Sequence, residues 1–296
     1  MASSRDIRRR IKSVNNIKQI TKAMKMVAAA RLRRAQEKAN ASKPYARKLQ
    51  ELLANVVNNA QEINHPLVVV RTETKKTAYF IISSDKGLAG SYNSNLMKEA
   101  LKNVGAVGKQ PEDVAIVTIG RKPLDYLRRR DYNIDNSYSG FSERPTYHDA
   151  VTISKEMTAK YIDGTYDEIN IVYTKFYSPV RQEPVTQKIL PIEAPEQDDD
   201  NKVDEKYKSD LREYIFEPSP EEALQLLVPR YLEMSVYTAL MQAAASELGS
   251  RMAAMGSATD NATELIAKLT LNYNKVRQAG ITREISEIVG GAEALK

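Results

Sequence analysis

From Pro220 to the C-terminus the sequence carries an apolar stripe at helical spacing with nothing to stop a helix. The stripe runs from Leu224, Leu227 and Tyr231 through Leu248, Met252 and Met255 to Ile266, Leu269, Tyr273, Val276, Ile281, Ile285 and Ile288, mostly three or four residues apart. No proline follows Pro229. The spacing predicts one helix of about 70 residues, roughly 105 Å long at 1.5 Å per residue. An ordinary globular helix has only three or four turns. Gly249, Gly256 and Gly280 lie inside this stretch, and each interior glycine costs up to about 1 kcal/mol against alanine. Packing is therefore expected to hold those turns. A helix this long cannot fold back on itself and requires a partner.

The partner is at the other end of the chain. Ile7, Ile11, Val14, Ile17, Ile20, Met24, Val27 and Leu32 advance by about 3.6 residues per step, which predicts a second long helix from Ser3 to about Asn59. Pro44 predicts a kink or break near Ser42 or Lys43. Small residues cluster at Ala28–Ala30 here, and at Ala243–Ala245 and Ala253–Ala254 in the terminal stretch. Small side chains let helix axes approach closely, so the two are expected to pair as an antiparallel coiled coil. A conventional bundle is disfavoured because no third helix of matching length exists in the sequence.

Charge is unevenly distributed. Residues 1–48 carry 15 Lys/Arg against Asp6 and Glu37, a local charge of +13, whereas the whole chain is +6, which leaves −7 for the remainder. A basic arm on an acidic body implies an acidic partner for the arm: nucleic acid, an anionic membrane surface or an acidic protein. There is no cysteine, so disulfides and thiolate metal sites are excluded. Apolar runs such as Leu67–Val70 and Ala78–Ile82 are far too short to span a bilayer. The Arg-rich N-terminus superficially resembles a transit peptide, but its apolar stripe continues beyond any plausible cleavage site and reads as mature structure.

Between the helices the rhythm changes. Thr77–Ser84 reads as a strand, Asp85–Gly90 as a glycine-bearing turn and Asn93–Val104 as a helix. Asp113–Ile119 is a second strand, closed by Gly120 and followed by a helix through Arg130. Tyr132–Tyr138 is a candidate third strand, Tyr147–Ile162 a helix, Asp167–Tyr177 a strong strand and Val185–Leu190 its hairpin partner. Alternation of this kind argues for a mainly parallel sheet with helical cover. Residues Glu193–Asp210, with seven carboxylates between Glu193 and Glu205, read as a surface loop or a disordered segment. The fold class is α/β plus coiled coil: two long terminal helices forming an antiparallel coiled coil, with an inserted, mainly parallel, Rossmann-like α/β domain. The expected divisions are 1–60, 61–218 and 219–296.

The α/β domain offers little chemistry. Its strand–turn–helix, Ser83–Asn93, contains Gly87 and Gly90, and such turns can cradle phosphate at a helix N-terminus. The glycines do not form GxGxxG, and GxxxxGK[ST] is absent. A structural turn is the better reading. The two histidines, His65 and His148, have no obvious metal partner, and no catalytic site or cofactor is expected.

The specific signal is in the terminal helices. RRRIKSVNNIKQITKAMKMVAAARLRRAQ (Arg8–Gln36), the turn SDKGLAGSYN and the segment ELGSRMAAMGSATDNATELIAKLTLNYNKVRQAGITREISEIVGGAEAL (Glu247–Leu295) together resemble the γ subunits of F-type ATP synthases. The resemblance covers the whole chain with order and spacing intact. Two turn positions depart from the family pattern, with Lys86 where Arg is usual and Ala89 where Cys is common. Neither changes the sign of charge or the fold.

The resemblance implies a coiled-coil shaft within a ring of three α and three β subunits. The α/β domain would be a foot on the membrane c ring, bound to the ε subunit and only indirectly linked to the δ-containing stator. The shaft would couple proton-driven rotation to ATP synthesis or hydrolysis at sites on β, without itself being an enzyme. No nucleic acid would be bound, and the membrane would be met only through the c ring, on the cytoplasmic face of a bacterial plasma membrane. Arg277, Gln278, Thr282 and Glu284 match positions that hydrogen-bond β-subunit loops. Met24, with Lys22 and Lys25, matches a position facing an acidic loop of β, and Arg251 joins it from the other helix. Tyr214 and Glu217 match the region meeting the c ring or ε. Two other classes were weighed. A nucleic-acid binder would use the basic helix but lacks aromatic interleaving, and a Rossmann-type enzyme would leave the two long helices without purpose.

Overall fold

A computed structural model describes residues 4–59, 65–68, 74–106, 113–192 and 219–294. The terminal helices are as long as their periodicity requires: α1 spans Ser4–Asn59 and α5 spans Pro220–Ala294, 75 residues. The break expected near Ser42 or Lys43 is absent, because α1 runs uninterrupted through Pro44. Pro44 and Asn40 lie on the exposed face, so water can take the Asn40 carbonyl that loses its helical N–H partner. Buried Leu49, Leu53 and Val56 hold the turns beyond it.

Between them run β1 (Thr77–Ile82), α2 (Tyr92–Ala106), β2 (Val114–Ile119), α3 (Arg121–Arg128), β3 (Asn136–Tyr138), α4 (Tyr147–Ile162), β4 (Glu168–Phe176) and β5 (Gln182–Leu190). The sheet order is β3-β2-β1-β4-β5. β3, β2, β1 and β4 are parallel, while β5 returns antiparallel to β4. The expected mainly parallel sheet with a terminal hairpin is therefore observed. β1 is buried on both faces along its length, as a central parallel strand should be. The third strand is shorter than expected, because residues 132–135 are spent on the turn that ends α3, where Tyr132 N–H donates to Leu127 O.

Packing separates the chain into two compact units, residues 31–250 and residues 1–30 with 251–296. In the larger unit each sheet face has its own core. One face packs Phe80, Val117 and Ile171 against Ile153 and Met157 of α4, Leu53 and Val56 of α1, and Leu232 and Val236 of α5. The other packs Tyr79, Ile81 and Ile116 against Leu96 and Met97 of α2 and Leu127 of α3. α4 starts on a capping box in which Thr146 and Asp149 satisfy each other's backbone N–H groups.

In the smaller unit α1 and α5 pair antiparallel. Thr21 and Thr259 hydroxyls meet at 2.9 Å, and the Lys25 side chain lies against Gly256. Residue numbers thus rise along one helix as they fall along the other. The inward face of α1 recurs every seventh residue, at buried Ile7, half-buried Val14 and buried Thr21 and Ala28. On α5 the inward face, buried at Met255 and Ala262 and half-buried elsewhere, alternates in steps of three and four through Met252, Met255, Thr259, Ala262, Ile266, Leu269, Tyr273 and Val276. That is a heptad seam. Beyond Val276 every described side chain of α5 is exposed, up to residue 292.

Candidate functional site

Two places were candidates, and the first is the turn between β1 and α2. Strand order reverses direction between β1 and β4, the point at which open α/β sheets bind ligands outside the carboxyl ends of the strands. Here α5 occupies that crevice. Ser246 Oγ donates to Thr174 O at 2.9 Å, Tyr92 OH donates to Ala243 O at 3.2 Å, and Phe176 N–H donates to Gln242 Oε1 at 2.9 Å. The turn itself is knitted by Asp85, whose carboxylate accepts N–H groups from Arg121, Gly140 and Ser142 at 3.2, 2.9 and 3.1 Å. Glu143 pairs with both Arg31 of α1 and Lys86 of the turn. A carboxylate already holding three backbone donors is a structural tie between loops, in keeping with the structural reading of this turn.

Glycine has a conformational role at two positions here. Gly90 sits at φ 58°. Gly120 sits at φ 114°, and a Cβ there would come within 2.6 Å of Ser83 O. Gly87 has room for a side chain, and the neighbouring left-handed residue is Leu88, exposed at φ 63°. Among the described residues no group of three or more His, Asp or Glu is arranged to hold a metal ion.

The second candidate is the surface of the paired helices. Lys22 and Lys25 are exposed and Met24 is half-buried, all within one turn of α1. Lys25 lies across Gly256, with its side-chain atoms 3.5–3.8 Å from where a Cβ would be. Arg251 is buried, unlike the two lysines, and by the pairing register it falls about one turn from Lys25 and about two turns from Lys22. Arg277, Gln278, Thr282 and Glu284 are exposed on consecutive turns of α5 beyond the paired region. At about 100° per residue, Ile281, Ile285 and Ile288 lie between the Arg277/Glu284 edge and the Gln278/Thr282 edge. The result is an exposed apolar stripe flanked by polar groups. The register places this cluster about 30–40 Å along the helix from the Met24 level. Tyr214, Glu217 and the acidic Glu193–Asp210 segment lie outside the described residues.

The full length of the chain can be matched to known proteins. The family model described as ATP synthase matches residues 3–295. The ATP synthase gamma chain of Desulfitobacterium hafniense is 47% identical over 296 residues, covering 100% of both chains. The chain belongs to the ATP synthase gamma chain family. The gamma chain of Moorella thermoacetica is 45% identical over the same length. Among solved structures, the central stalk and c ring of Tetrahymena thermophila mitochondrial ATP synthase contains a chain with 26% identity and a TM-score of 0.60, covering 81% of this chain and 99% of that one. A chain from the Euglena gracilis mitochondrial enzyme shares the fold, with 19% identity and a TM-score of 0.66 over 99% of this chain and 94% of that one.

Family membership accounts for the two-helix architecture, and the structure adds residues that periodicity missed. Thr21 and Thr259 are seam positions occupied by polar residues, detectable only by the sevenfold spacing that leads from Ile7 through Val14 to Ala28. Asp85 was read as part of a turn without its role as a tie. No short-range pattern signals that role, because its donors come from positions 36 to 57 residues away.

Proposed function

We propose that this gamma chain family member is the central rotor shaft of an F-type ATP synthase. It couples proton-driven rotation of a membrane c ring to the conformational cycle of catalytic β subunits, and performs no catalysis itself. Its partners are a ring of three α and three β subunits, an ε subunit and the c ring, on the cytoplasmic face of a bacterial plasma membrane.

One observation carries the reading. The Thr21–Thr259 register would bring Ser4, where α1 begins, opposite Val276, and from that point α5 continues unpaired. Ile281, Ile285, Ile288 and Val289 are each about half exposed or more. An apolar stripe of this length requires another protein to cover it. The basic, exposed faces around Lys22 and Lys25 are complementary to an acidic partner, and Met24 between them suits contact with the same loop of β. Arg277, Gln278, Thr282 and Glu284 border the apolar stripe, where charge-assisted hydrogen bonds to β loops would be desolvated and strong. Arg251, being buried, would act through the helix pair. Tyr214 and Glu217 are assigned to the c ring or ε. Asymmetric contact of one shaft with three equivalent β subunits would bias each toward a different state through differential contact energy.

The test is reconstitution. Purified α and β subunits, mixed with and without this chain and separated by size, should yield a species of three α, three β and one copy of the chain. Its ATPase activity should depend on the chain. A chain that elutes apart and leaves activity unchanged refutes the rotor assignment.

A further inference from the structure

We propose that Arg128, Arg129 and Arg130, at the end of α3, form a contact for anionic lipid headgroups beside the c ring. The inference rests on the rotor reading above and goes beyond it, because that reading brings the chain to the membrane only through the ring.

The topology places these residues on one edge of the sheet. β2 and β3 are parallel, so the α3 connection must carry the chain back toward the N-terminal ends of the strands. The same holds for α4 between the parallel strands β3 and β4, whose last residue, Ile162, is exposed. β5 ends with Leu190 beside Ile169, at the start of β4. The chain that follows holds Tyr214 and Glu217, the proposed ring contacts. The edge that carries the three arginines is therefore the edge from which the ring-contacting segment departs.

The arginines are held in position by backbone bonds. Arg130 N–H donates to Leu127 O at 3.0 Å and Asp131 N–H to Arg128 O at 3.2 Å, with Asp131 in the left-handed region at φ 57°. The Arg130 guanidinium stacks over the Tyr126 ring at 3.7 Å. All three arginines are exposed. Carboxylates at this edge are turned to internal work. Asp135 accepts the Tyr166 hydroxyl and pairs with Lys76, Asp167 accepts the Lys75 and Lys76 N–H groups, and Asp163 accepts the Thr165 N–H. Exposed Asp131, and exposed Asp125 one turn back on α3, offset two of the three charges and leave the edge with a net excess of one. Three consecutive exposed arginines, one of them stacked on Tyr126, on a chain whose remainder is acidic outside residues 1–48, have the chemistry of an anionic-surface contact.

The test uses the reconstituted α, β and chain assembly, in which the basic arm of α1 is enclosed by the hexamer. Co-sedimentation is measured with vesicles of phosphatidylglycerol mixed into phosphatidylcholine, and with phosphatidylcholine alone. The wild type should prefer the anionic vesicles and lose that preference as salt rises. R128E/R129E/R130E should bind them about tenfold more weakly or worse. The Gln triple variant, which avoids new repulsion, should fall between. Equal binding by wild type and both variants overturns the proposal, as does equal binding to neutral vesicles. Unchanged vesicle binding with lost association to c ring in detergent would assign the arginines to protein and overturn it equally. Failure to assemble with α and β, seen before any vesicle is added, would instead remove the rotor reading on which the proposal stands.

Discussion

Three of the glycines inside α5, Gly249, Gly256 and Gly280, look alike in sequence and should respond differently to alanine. At Gly249 a Cβ would lie 2.9 Å from Gln182 Nε2, 3.1 Å from Phe176 Cε2 and 3.4 Å from Pro179 Cα. Gln182 cannot simply step aside, since Ser250 Oγ donates to its Oε1 at 2.6 Å and its Nε2 donates to Pro179 O at 3.3 Å. Gly249→Ala gains up to about 1 kcal/mol of helix propensity. Against this stand about 1–3 kcal/mol of overpacking and about 1 kcal/mol for each hydrogen bond displaced. The net expectation is destabilisation of the larger unit by about 1–3 kcal/mol. At roughly 2–4 °C per kcal/mol for a unit of this size, its melting temperature should fall by about 2–12 °C. At Gly256 the nearest atoms would be those of Lys25 at ordinary contact distance, and at Gly280 nothing lies within 4 Å. Alanine at either should be neutral or stabilise the helix by up to about 1 kcal/mol. Hydrogen exchange in the full chain separates the effects, with β4 and β5 reporting the first substitution and residues 277–292 the last. A Gly249→Ala chain as stable as wild type in β4 and β5 would refute the steric argument.

Other perturbations test the remaining assignments. Removing residues 281–296 should leave hydrogen exchange in the sheet unchanged while weakening assembly with α and β; intact assembly and torque would count against the exposed stripe as a binding surface. Arg277→Ala should reduce ATPase turnover of the assembly more than its yield, and unchanged turnover would remove Arg277 from the coupling residues. His65 provides a pH test: burial lowers its pKa below the ordinary 6.5, and its Nδ1 accepts the Leu67 N–H at 3.2 Å. The neutral form is therefore the folded form, so its contribution is present above about pH 6.5 and is lost as pH falls through the lowered folded value. His65→Asn should flatten local stability across that window as read by exchange at Leu67 and Val68, and an unaltered pH dependence would acquit the imidazole.

What was legible in the sequence followed from periodicity. The period near 3.6 of α1 and α5 and the short β-branched runs of β1, β2 and β4 locate those elements within a few residues, although of the α1 set only Ile7 and Leu32 are buried while Ile17, Ile20 and Val27 stand exposed. Pro44 does not break α1, because on an exposed helical face the Asn40 carbonyl it leaves without an N–H is open to water. Packing is expected to hold the turns at Gly249, Gly256 and Gly280; Gly249 is packed by Gln182, Phe176 and Pro179, some 70 residues earlier in the chain, whereas among the described residues of this chain nothing would come within 4 Å of a Cβ at Gly280. The crevice between β1 and β4 could not be judged from its turn motif alone. Its occupant is α5, and contacts between Thr174 and Ser246 leave no mark in either local sequence.

The seam of the helix pair has its own consequence. Where a self-sufficient coiled coil would place Ile, Leu or Val, α1 presents Thr21, Ala28 and Ala35 inward, and α5 presents Thr259 and Ala262. Each of these buries less apolar surface than a leucine, so at these positions the pairing gains less than an all-aliphatic seam would. Larger apolar side chains stand outward instead: Ile17, Ile20, Met26 and Val27 on α1, and Leu265 and Leu271 on α5, are all exposed. Small residues inside let the axes approach closely, and large ones outside await a covering surface. A helix pair built in this way is stabilised from without. Its stability is therefore linked by mass action to whatever encloses it. That arrangement fits a shaft held by a surrounding ring better than a coil that holds itself together.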